Sequence, residues 1–264
     1  MGVLNVTPDS FSDGGRFERL EAAVTGARNM LDQGAALIDV GGESTRPGAQ
    51  PVSVDDELER VVPVIEAIAS ELSANVSIDT SKSEVMEAAV AAGATMINDV
   101  MALRAEGAIE TARDLQMPVC LMHMQGLPRT MQKNPCYDDV VAEVREFLLR
   151  RIDACVSAGM DADKLLIDPG FGFGKTLQHN LTLLANLGVL VDTGQPVMVG
   201  LSRKSMIAAM LDRPVDGRAA ASAALALIAV QKGAAVVRVH DVAETADALN
   251  VAAWVAAAGE HAAG

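Results

Sequence analysis

The chain has 264 residues, a formal net charge of −14 and a sequence pI of about 4.6. Such an acidic surface argues against non-specific binding of nucleic acid or of an anionic membrane. Half of the residues are hydrophobic but only 3% are aromatic, so the core must be aliphatic. The length suits one large α/β domain or two small ones.

Cysteine usage and hydropathy exclude further classes. Cys120, Cys136 and Cys155 are odd in number and form no C-x-x-C pair, so neither a disulfide framework nor a structural zinc site is expected. A reducing, cytoplasmic setting fits, and Cys120 lies in an apolar run that is typical of a core. No apolar segment is long enough to span a bilayer, and nothing resembles a secretory signal.

Short apolar strands alternate with helical patterns along the whole chain. In chain order, the patterns predict strand 2–7, helix 17–33, strand 36–40, a helix starting at Ser53, strand 76–80, helix 83–92, strand 95–100, helix 106–116, strand 118–123, helix 137–158, strand 165–168, helix 177–187, strand 196–201, helix 217–232, strand 236–240 and helix 243–258.

This alternation predicts a parallel sheet, because parallel strands need helical crossovers. Eight strand–helix units in a chain of ~250 residues match a closed (β/α)8 TIM barrel. We therefore expect a single barrel domain over residues 1–264. A doubly wound open sheet is the alternative, although such sheets usually have fewer strands.

In a barrel of this kind, functional side chains lie at the C-terminal ends of the strands. Every predicted strand here ends in polar residues. They are Asn5 and Thr7; Asp39 and Glu43; Asp79; Asn98 and Asp99; His123 and Gln125; Asp168; Ser202, Arg203 and Lys204; and Arg238, His240 and Asp241. One or two of them could cap helices or tie loops, but polar endings on all eight strands indicate an enzyme.

One chemical class among these residues comprises Asp79, Asn98 and Asp168. Two carboxylates and a carboxamide that converge on one pocket suit a planar heterocycle with an NH/NH2 edge. For Asp79 alone, capping of the following helix is a competing interpretation. For the three together, ligand binding is the better one.

The second class is cationic and comprises Arg46, Lys204, Arg238 and His240. Arg238 and His240 are two apart on a predicted strand and should project from the same face. In so acidic a chain, such a group suggests a bound phosphate or diphosphate, with hydroxyl donors from Thr45 and Ser205. Simple ion pairing with nearby acids is the alternative, and it suits Arg203 better.

The glycine-rich segment 170–176 resembles two nucleotide-binding motifs without matching either. A P-loop needs glycine where Pro169 stands, and the glycine spacing is not G-x-G-x-x-G. We expect instead a flexible loop that brings Phe171 or Phe173 over a flat substrate, because only five Phe occur in the chain.

Seven segments, in order, resemble the dihydropteroate synthase family: NVTPDSFSDGG (5–15), GGESTRPG (41–48), SIDTS (77–81), IND (97–99), DPGFGFGK (168–175), SRKS (202–205) and RVHD (238–241). The resemblance implies that p-aminobenzoate condenses with 6-hydroxymethyl-7,8-dihydropterin diphosphate. The products would be 7,8-dihydropteroate and diphosphate, Mg²⁺ would be the cofactor, and sulfonamides would compete with p-aminobenzoate.

The resemblance also implies residue roles. The pterin would be held by Asp79, Asn98, Met122, Asp168, Phe173 and Lys204, with Asp79, Asp168 and Lys204 catalytic. The diphosphate would be held by Asn5, Thr45, Arg46, Arg238 and His240, with Asn5 also at the metal. The p-aminobenzoate would be held by Phe11, Thr45, Pro47, Phe173, Lys204 and Ser205.

The mechanism it suggests is dissociative. Diphosphate leaves, the pterin delocalises the positive charge, Asp168 helps to stabilise the cation, and the amine attacks. Loops 8–15 and 41–48 would close over the intermediate and exclude water.

One departure concerns the start of the chain. The family usually carries a segment before the first strand that crosses the bottom of the barrel, and here Met1 stands directly on the strand. Either the natural start lies upstream or the barrel floor is covered in another way.

Two rival functions and one assembly remain as expectations. A pterin-binding methyltransferase would share the pocket but has no use for a diphosphate cluster. A catalytically inactive binding subunit is possible in principle, but no motif position is lost. Because helix 217–232 is apolar all round, we also expect a homodimer through the last helices.

Overall fold

The computed structural model describes residues 1–6, 16–44, 49–126 and 130–261. Over these ranges the strands are β1 Gly2–Asn5, β2 Ile38–Gly41, β3 Val76–Asp79, β4 Met96–Asp99, β5 Val119–Met122, β6 Leu165–Asp168, β7 Met198–Val199 and β8 Val236–Val237. The helices are α1 Arg16–Asp32, α2 Val54–Leu72, α3 Ser83–Ala91, α4 Ala108–Leu115, α5 Val140–Ser157, α6 Leu177–Ala185, α7 Gly188–Val191, α8 Ser205–Leu211, α9 Ala219–Gln231 and α10 Val242–His261.

The strands close into a ring, as the alternation predicts. Strands β1 to β6 form one parallel sheet in chain order, and β7 pairs in parallel with β8. Parallel bridges from Ile167 to Val197 and from Gly2 to Val239 join the two sheets on both sides. The prediction of a (β/α)8 barrel is therefore confirmed.

Side chains alternate between the inside of the barrel and the helix layer. Met96, Cys120 and Met198 point inward and form a small apolar cluster with Leu37 and Leu166 below the mouth. The intervening residues point outward and pack against the helices in the main aliphatic core. Cys120 is completely buried, so its assignment to the core is confirmed.

The helix boundaries follow local chemistry. Ser53 caps α2, because its hydroxyl accepts a 3.1 Å hydrogen bond from the amide of Asp56. The predicted strand 236–240 is shorter in the structure. After Val237 the chain bonds alternately to its two neighbours. The Arg238 amide donates to the Val199 carbonyl, and the Val239 amide donates to the Met1 carbonyl.

Two short helices, α7 and α8, were not predicted. Each has fewer than eight residues, too few for a clear helical periodicity. Across the described ranges, no helix is long and apolar enough to cross a membrane.

Candidate functional site

Charged and amide side chains are buried at the C-terminal end of the barrel. Asp39, Asp79, Asn98 and Asp168 are each at most 7% exposed. The strand register places Asn5, Gly41, Asp79 and Asn98 in one inward-facing row. Burying such groups costs free energy unless they are paired or bind a ligand, so the cluster marks a site.

Arg238 is the cation that two of these carboxylates share. Its Nε donates to Asp39 Oδ2 at 2.6 Å, and its Nη2 donates to Asp79 Oδ2 at 2.8 Å. Asn98 Nδ2 also donates to Asp39, at 3.2 Å. The residue that this network adds is Asp39, to which the sequence assigned no role beyond a strand end. The sequence feature that could have identified Asp39 is its position as a charged residue inside the apolar run 36–40.

Two carboxyl groups share this single guanidinium. Burial, together with the negative charge of Asp39, raises the pKa of Asp79 from 3.8 to about 7, although Arg238 opposes the shift. Asp79 does not cap the following helix, because α3 has no side-chain cap. The capping interpretation is therefore not supported, and the ligand-binding role of Asp79 stays a prediction.

Asp168 ends β6, and Lys204 directly precedes α8. The Gly170 amide donates to Asp168 Oδ1 at 2.7 Å, and Lys204 Nζ donates to the carbonyl of Phe171. Burial raises the pKa of Asp168, an effect that Lys204 reduces. Burial also lowers the pKa of Lys204 to about 8, although Asp168 opposes this shift. The two groups therefore interact electrostatically in a poorly hydrated place.

The aromatic candidates separate clearly. Phe171 is completely buried and is one of the largest side chains of the main core, so it cannot cover a substrate. Phe173 is half-buried, packs with Met122, and carries Lys204 Nζ 4.6 Å from its ring centroid. The candidate for contact with a flat substrate is therefore Phe173 and not Phe171.

His240 and Arg203 lie beside this centre. The His240 amide donates to Ser202 Oγ at 3.1 Å, and its ring Nδ1 lies 3.2 Å from the same hydroxyl. Arg203 forms an ion pair with Asp241, which is the structural role expected for it. Ser205 is exposed at the first position of α8.

Not every polar strand end belongs to the site. Asp99 follows an inward residue and therefore points outward, where it accepts bonds from the amides of Met101 and Leu103, each at 2.7 Å. Glu43 pairs with Lys82. These two acids tie loops together.

Several predicted site residues fall outside the described ranges: Phe11, Thr45, Arg46 and Pro47. Asn5 is described and ends β1 half-buried. Among the described residues, no group of three or more His, Cys, Asp or Glu could hold a metal ion.

Known proteins resemble this chain over nearly its whole length. A family model described as pterin binding enzyme matches residues 1–240. The dihydropteroate synthase of Haemophilus influenzae is 55% identical over 258 residues, 98% of this chain and 93% of that protein.

Solved structures agree with the sequence comparison. A Yersinia pestis dihydropteroate synthase bound to a sulfonamide drug superposes with a TM-score of 0.93 at 50% identity, covering 97% of this chain and 94% of that one. A Xanthomonas albilineans dihydropteroate synthase bound to 4-aminobenzoic acid gives 0.92 at 54% identity, covering 97% and 92%. The chain therefore belongs to the family of pterin-binding enzymes.

Proposed function

We propose that the protein is a dihydropteroate synthase, which joins p-aminobenzoate to 6-hydroxymethyl-7,8-dihydropterin diphosphate and releases diphosphate. The observation that carries the proposal is the buried set of Asp79, Asn98 and Asp168 at the barrel mouth, combined with Arg238 and Lys204. The named relatives support it, since they share about half of their residues with this chain.

The candidate site residues that the structure describes have roles in this proposal that fit their surroundings. Asp79, Asn98 and Asp168 present acceptors and a donor to the polar edge of the pterin, with Met122 and Phe173 against its faces. Lys204 Nζ lies 4.6 Å from the ring centroid of Phe173, and the two residues would form one wall for p-aminobenzoate together with the exposed Ser205.

The chemistry we propose is dissociative and needs no protein nucleophile. As diphosphate leaves, positive charge spreads from the methylene group into the pterin ring, and the buried carboxylate of Asp168 stabilises it. Arg238 lies at the same barrel mouth. As negative charge develops on the diphosphate, Arg238 would bind the diphosphate in place of Asp79 or Asp39. The amine of p-aminobenzoate then attacks the methylene carbon.

Mg²⁺ is the proposed cofactor. Asn5 offers one carboxamide oxygen at the mouth. One protein oxygen suits Mg²⁺, which would take its other ligands from diphosphate and water. When bound, the ion would neutralise charge on the leaving group. A cytoplasmic location stays a prediction. The three cysteines are free, as a reducing compartment would keep them.

We propose further that two chains form a homodimer through α9 and α10. Val251, Trp254 and Val255 form one stripe on α10 and are 64%, 79% and 68% exposed. Ile228 on the neighbouring α9 is 40% exposed. A monomer would leave this apolar stripe in water.

A diphosphate-release assay tests the function against both rivals. We expect release from the pterin diphosphate that depends on p-aminobenzoate and Mg²⁺ and that a sulfonamide inhibits competitively against p-aminobenzoate. A methyltransferase would instead demethylate methyltetrahydrofolate in the presence of a corrinoid, and an inactive binding subunit would bind the pterin without turnover. Either of these results would overturn the proposal.

A further inference from the structure

The glycine loop, residues 170–174 between β6 and α6, has a side-chain donor on every carbonyl. Lys175 Nζ donates to Gly170 and Phe173 (both 3.0 Å), Lys204 Nζ to Phe171, Gln132 Nε2 to Gly172, and the Tyr137 hydroxyl to Gly174 at 2.8 Å. Loop carbonyls are commonly left to water. This loop is held from both sides, which the sequence pattern of a flexible loop did not indicate.

Lys175 is the donor within this set that is buried and has no role in the proposed chemistry. Its side chain is 3% exposed, and its Nζ also lies 2.8 Å from Nδ1 of His123. Nζ therefore has three contacts of 3.0 Å or less, and a longer one of 3.5 Å to the His123 carbonyl. When Lys175 is charged, Nδ1 of His123 accepts this bond and the ring proton lies on Nε2. Burial lowers the pKa of Lys175 well below its ordinary value.

His123 is suited to this partner. Burial lowers the pKa of His123 to about 2, and the charge of Lys175 acts in the same direction. The ring meets Phe147 edge to face at 4.9 Å, so it cannot turn without disturbing the core. His123 is thus a neutral, buried anchor for the Lys175 amino group.

The carbonyls that Lys175 binds lie on either side of the Phe171 carbonyl, to which Lys204 donates. Gly170 precedes Phe171, whose carbonyl holds Lys204, and Phe173 carries the ring beside Lys204. A Cβ at Gly172 would lie only 3.1 Å from Lys204 Cδ, so a small displacement of the loop would move Lys204. The backbone of Asp168 is held by pairing within the barrel, and its side chain bonds to the Gly170 amide of the glycine loop.

We propose that Lys175, anchored on His123, is a positioning residue that shapes the glycine loop so that Phe173 and Lys204 form the p-aminobenzoate wall. It acts through the loop and contacts no substrate. This inference rests on the proposed synthase activity. It predicts that p-aminobenzoate binding depends on Lys175 far more than binding of the pterin diphosphate does.

The test is Lys175→Met, which keeps the length of the side chain and removes its amino group. We expect the KM for p-aminobenzoate to rise by about 10- to 100-fold, as small misplacements of binding groups do. Calorimetry with the pterin diphosphate and Mg²⁺ alone should show less than about a threefold change in Kd. A purely structural role would change both quantities together or neither.

Two further variants keep the inference falsifiable. Tyr137→Phe removes one hydroxyl donor from the same loop and should raise the KM for p-aminobenzoate by about three- to tenfold even if Lys175→Met does not fold. Lys164→Met removes an exposed lysine that donates to the Gln116 carbonyl, and it should leave both quantities unchanged.

An unchanged KM for p-aminobenzoate in Lys175→Met would overturn the inference. If that variant does not fold, an unchanged KM in Tyr137→Phe would do so. Turnover by the wild-type protein would still support the proposed function in either case. Absence of turnover in the wild-type protein would instead count against the function itself.

Discussion

At the scale of single residues, the mouth of the barrel combines three buried acids with two cations. Arg238 neutralises one unit of charge between Asp39 and Asp79, and Lys204 is the cation nearest Asp168 in electrostatic effect. In the pocket without substrate, burial raises the pKa of both Asp79 and Asp168, so their ionised forms are disfavoured there. We infer that a ligand with an N–H edge stabilises these ionised forms, because it donates hydrogen bonds to the carboxylates.

The first prediction concerns Asp79 and pH. The unfolded chain releases the proton of Asp79 near the ordinary pKa of 3.8, whereas the folded protein keeps it until about 7. The folded state therefore binds more protons between these values, and Asp79 makes the free energy of unfolding fall as pH rises from about 4 to about 7. Urea denaturation of the unliganded protein across this range should show a shallower fall in Asp79→Asn.

The control is Asp114→Asn, since Asp114 is an exposed residue of α4 that pairs with Arg113. Some decline should persist in Asp79→Asn, because burial also raises the pKa of Asp168. A slope equal to that of the wild type would show that Asp79 is not the group responsible.

The second prediction concerns Asp168. Asn keeps the shape and can still accept the bond from the Gly170 amide, but it removes the charge that we assign to cation stabilisation. We expect Asp168→Asn to slow diphosphate release by about 100-fold, in line with other losses of transition-state electrostatics. Its free energy of unfolding should change by no more than about 1 kcal/mol. Unchanged kinetics of release would rule out this role.

At the scale of elements, the strand ends decide what each loop can do. β6 runs into the glycine loop, where Gly170 has a φ of +67°. A Cβ there would lie 1.9 Å from the His123 carbonyl oxygen, so glycine is required both by the backbone conformation and by the space. This close approach holds the residues after β5 and β6 together. It thereby fixes the start of the loop that carries Phe173.

The third prediction follows from that contact. Gly170→Ala should lower the free energy of unfolding by roughly 2–4 kcal/mol, because a strained φ and a backbone clash coincide. Gly188→Ala is the matched control: nothing lies within 4 Å of the added Cβ, and the residue starts α7, so the change should be neutral or slightly stabilising. Equal stabilities for the two variants in denaturant titration would contradict the close approach.

At the scale of the whole molecule, the closed ring of strands leaves the last two helices as an exposed apolar flank. α9 buries Leu225 and Ala226 but exposes Ile228, and α10 exposes the stripe that contains Trp254. The prediction of a helix that is apolar all round is thus explained by one face in the barrel core and another open to a partner. Homodimerisation is the assembly we propose for it.

The fourth prediction tests this assembly. Trp254→Asp places a charge in the centre of the stripe, where the residue is 79% exposed, and it should convert dimer to monomer in sedimentation velocity. Val156→Asp alters an exposed apolar residue on α5, 42% exposed, and should leave the sedimentation coefficient unchanged. A wild-type protein that sediments as a monomer would refute the proposed dimer.

Periodicity and strand endings in the sequence were sufficient to predict the barrel and most of its mouth. Apolar runs of about five residues and intervening helical patterns are local signals, so they identify the elements and place Asp79, Asn98, Asp168 and Lys204 at one end. The short helix α8 and the early end of β8 could not be predicted, because two to seven residues carry too little periodicity.

The pairing of Arg238 with Asp39 and Asp79 and the burial of Lys175 against His123 were decided only by the tertiary structure. The partners of Arg238 lie 199 and 159 residues away along the chain, and those of Lys175 include one 52 residues away. Such contacts depend on strand register and on closure of the ring, which a single sequence does not encode in any local pattern. The sequence by itself therefore determined which groups reach the mouth, and the fold decided which of them meet.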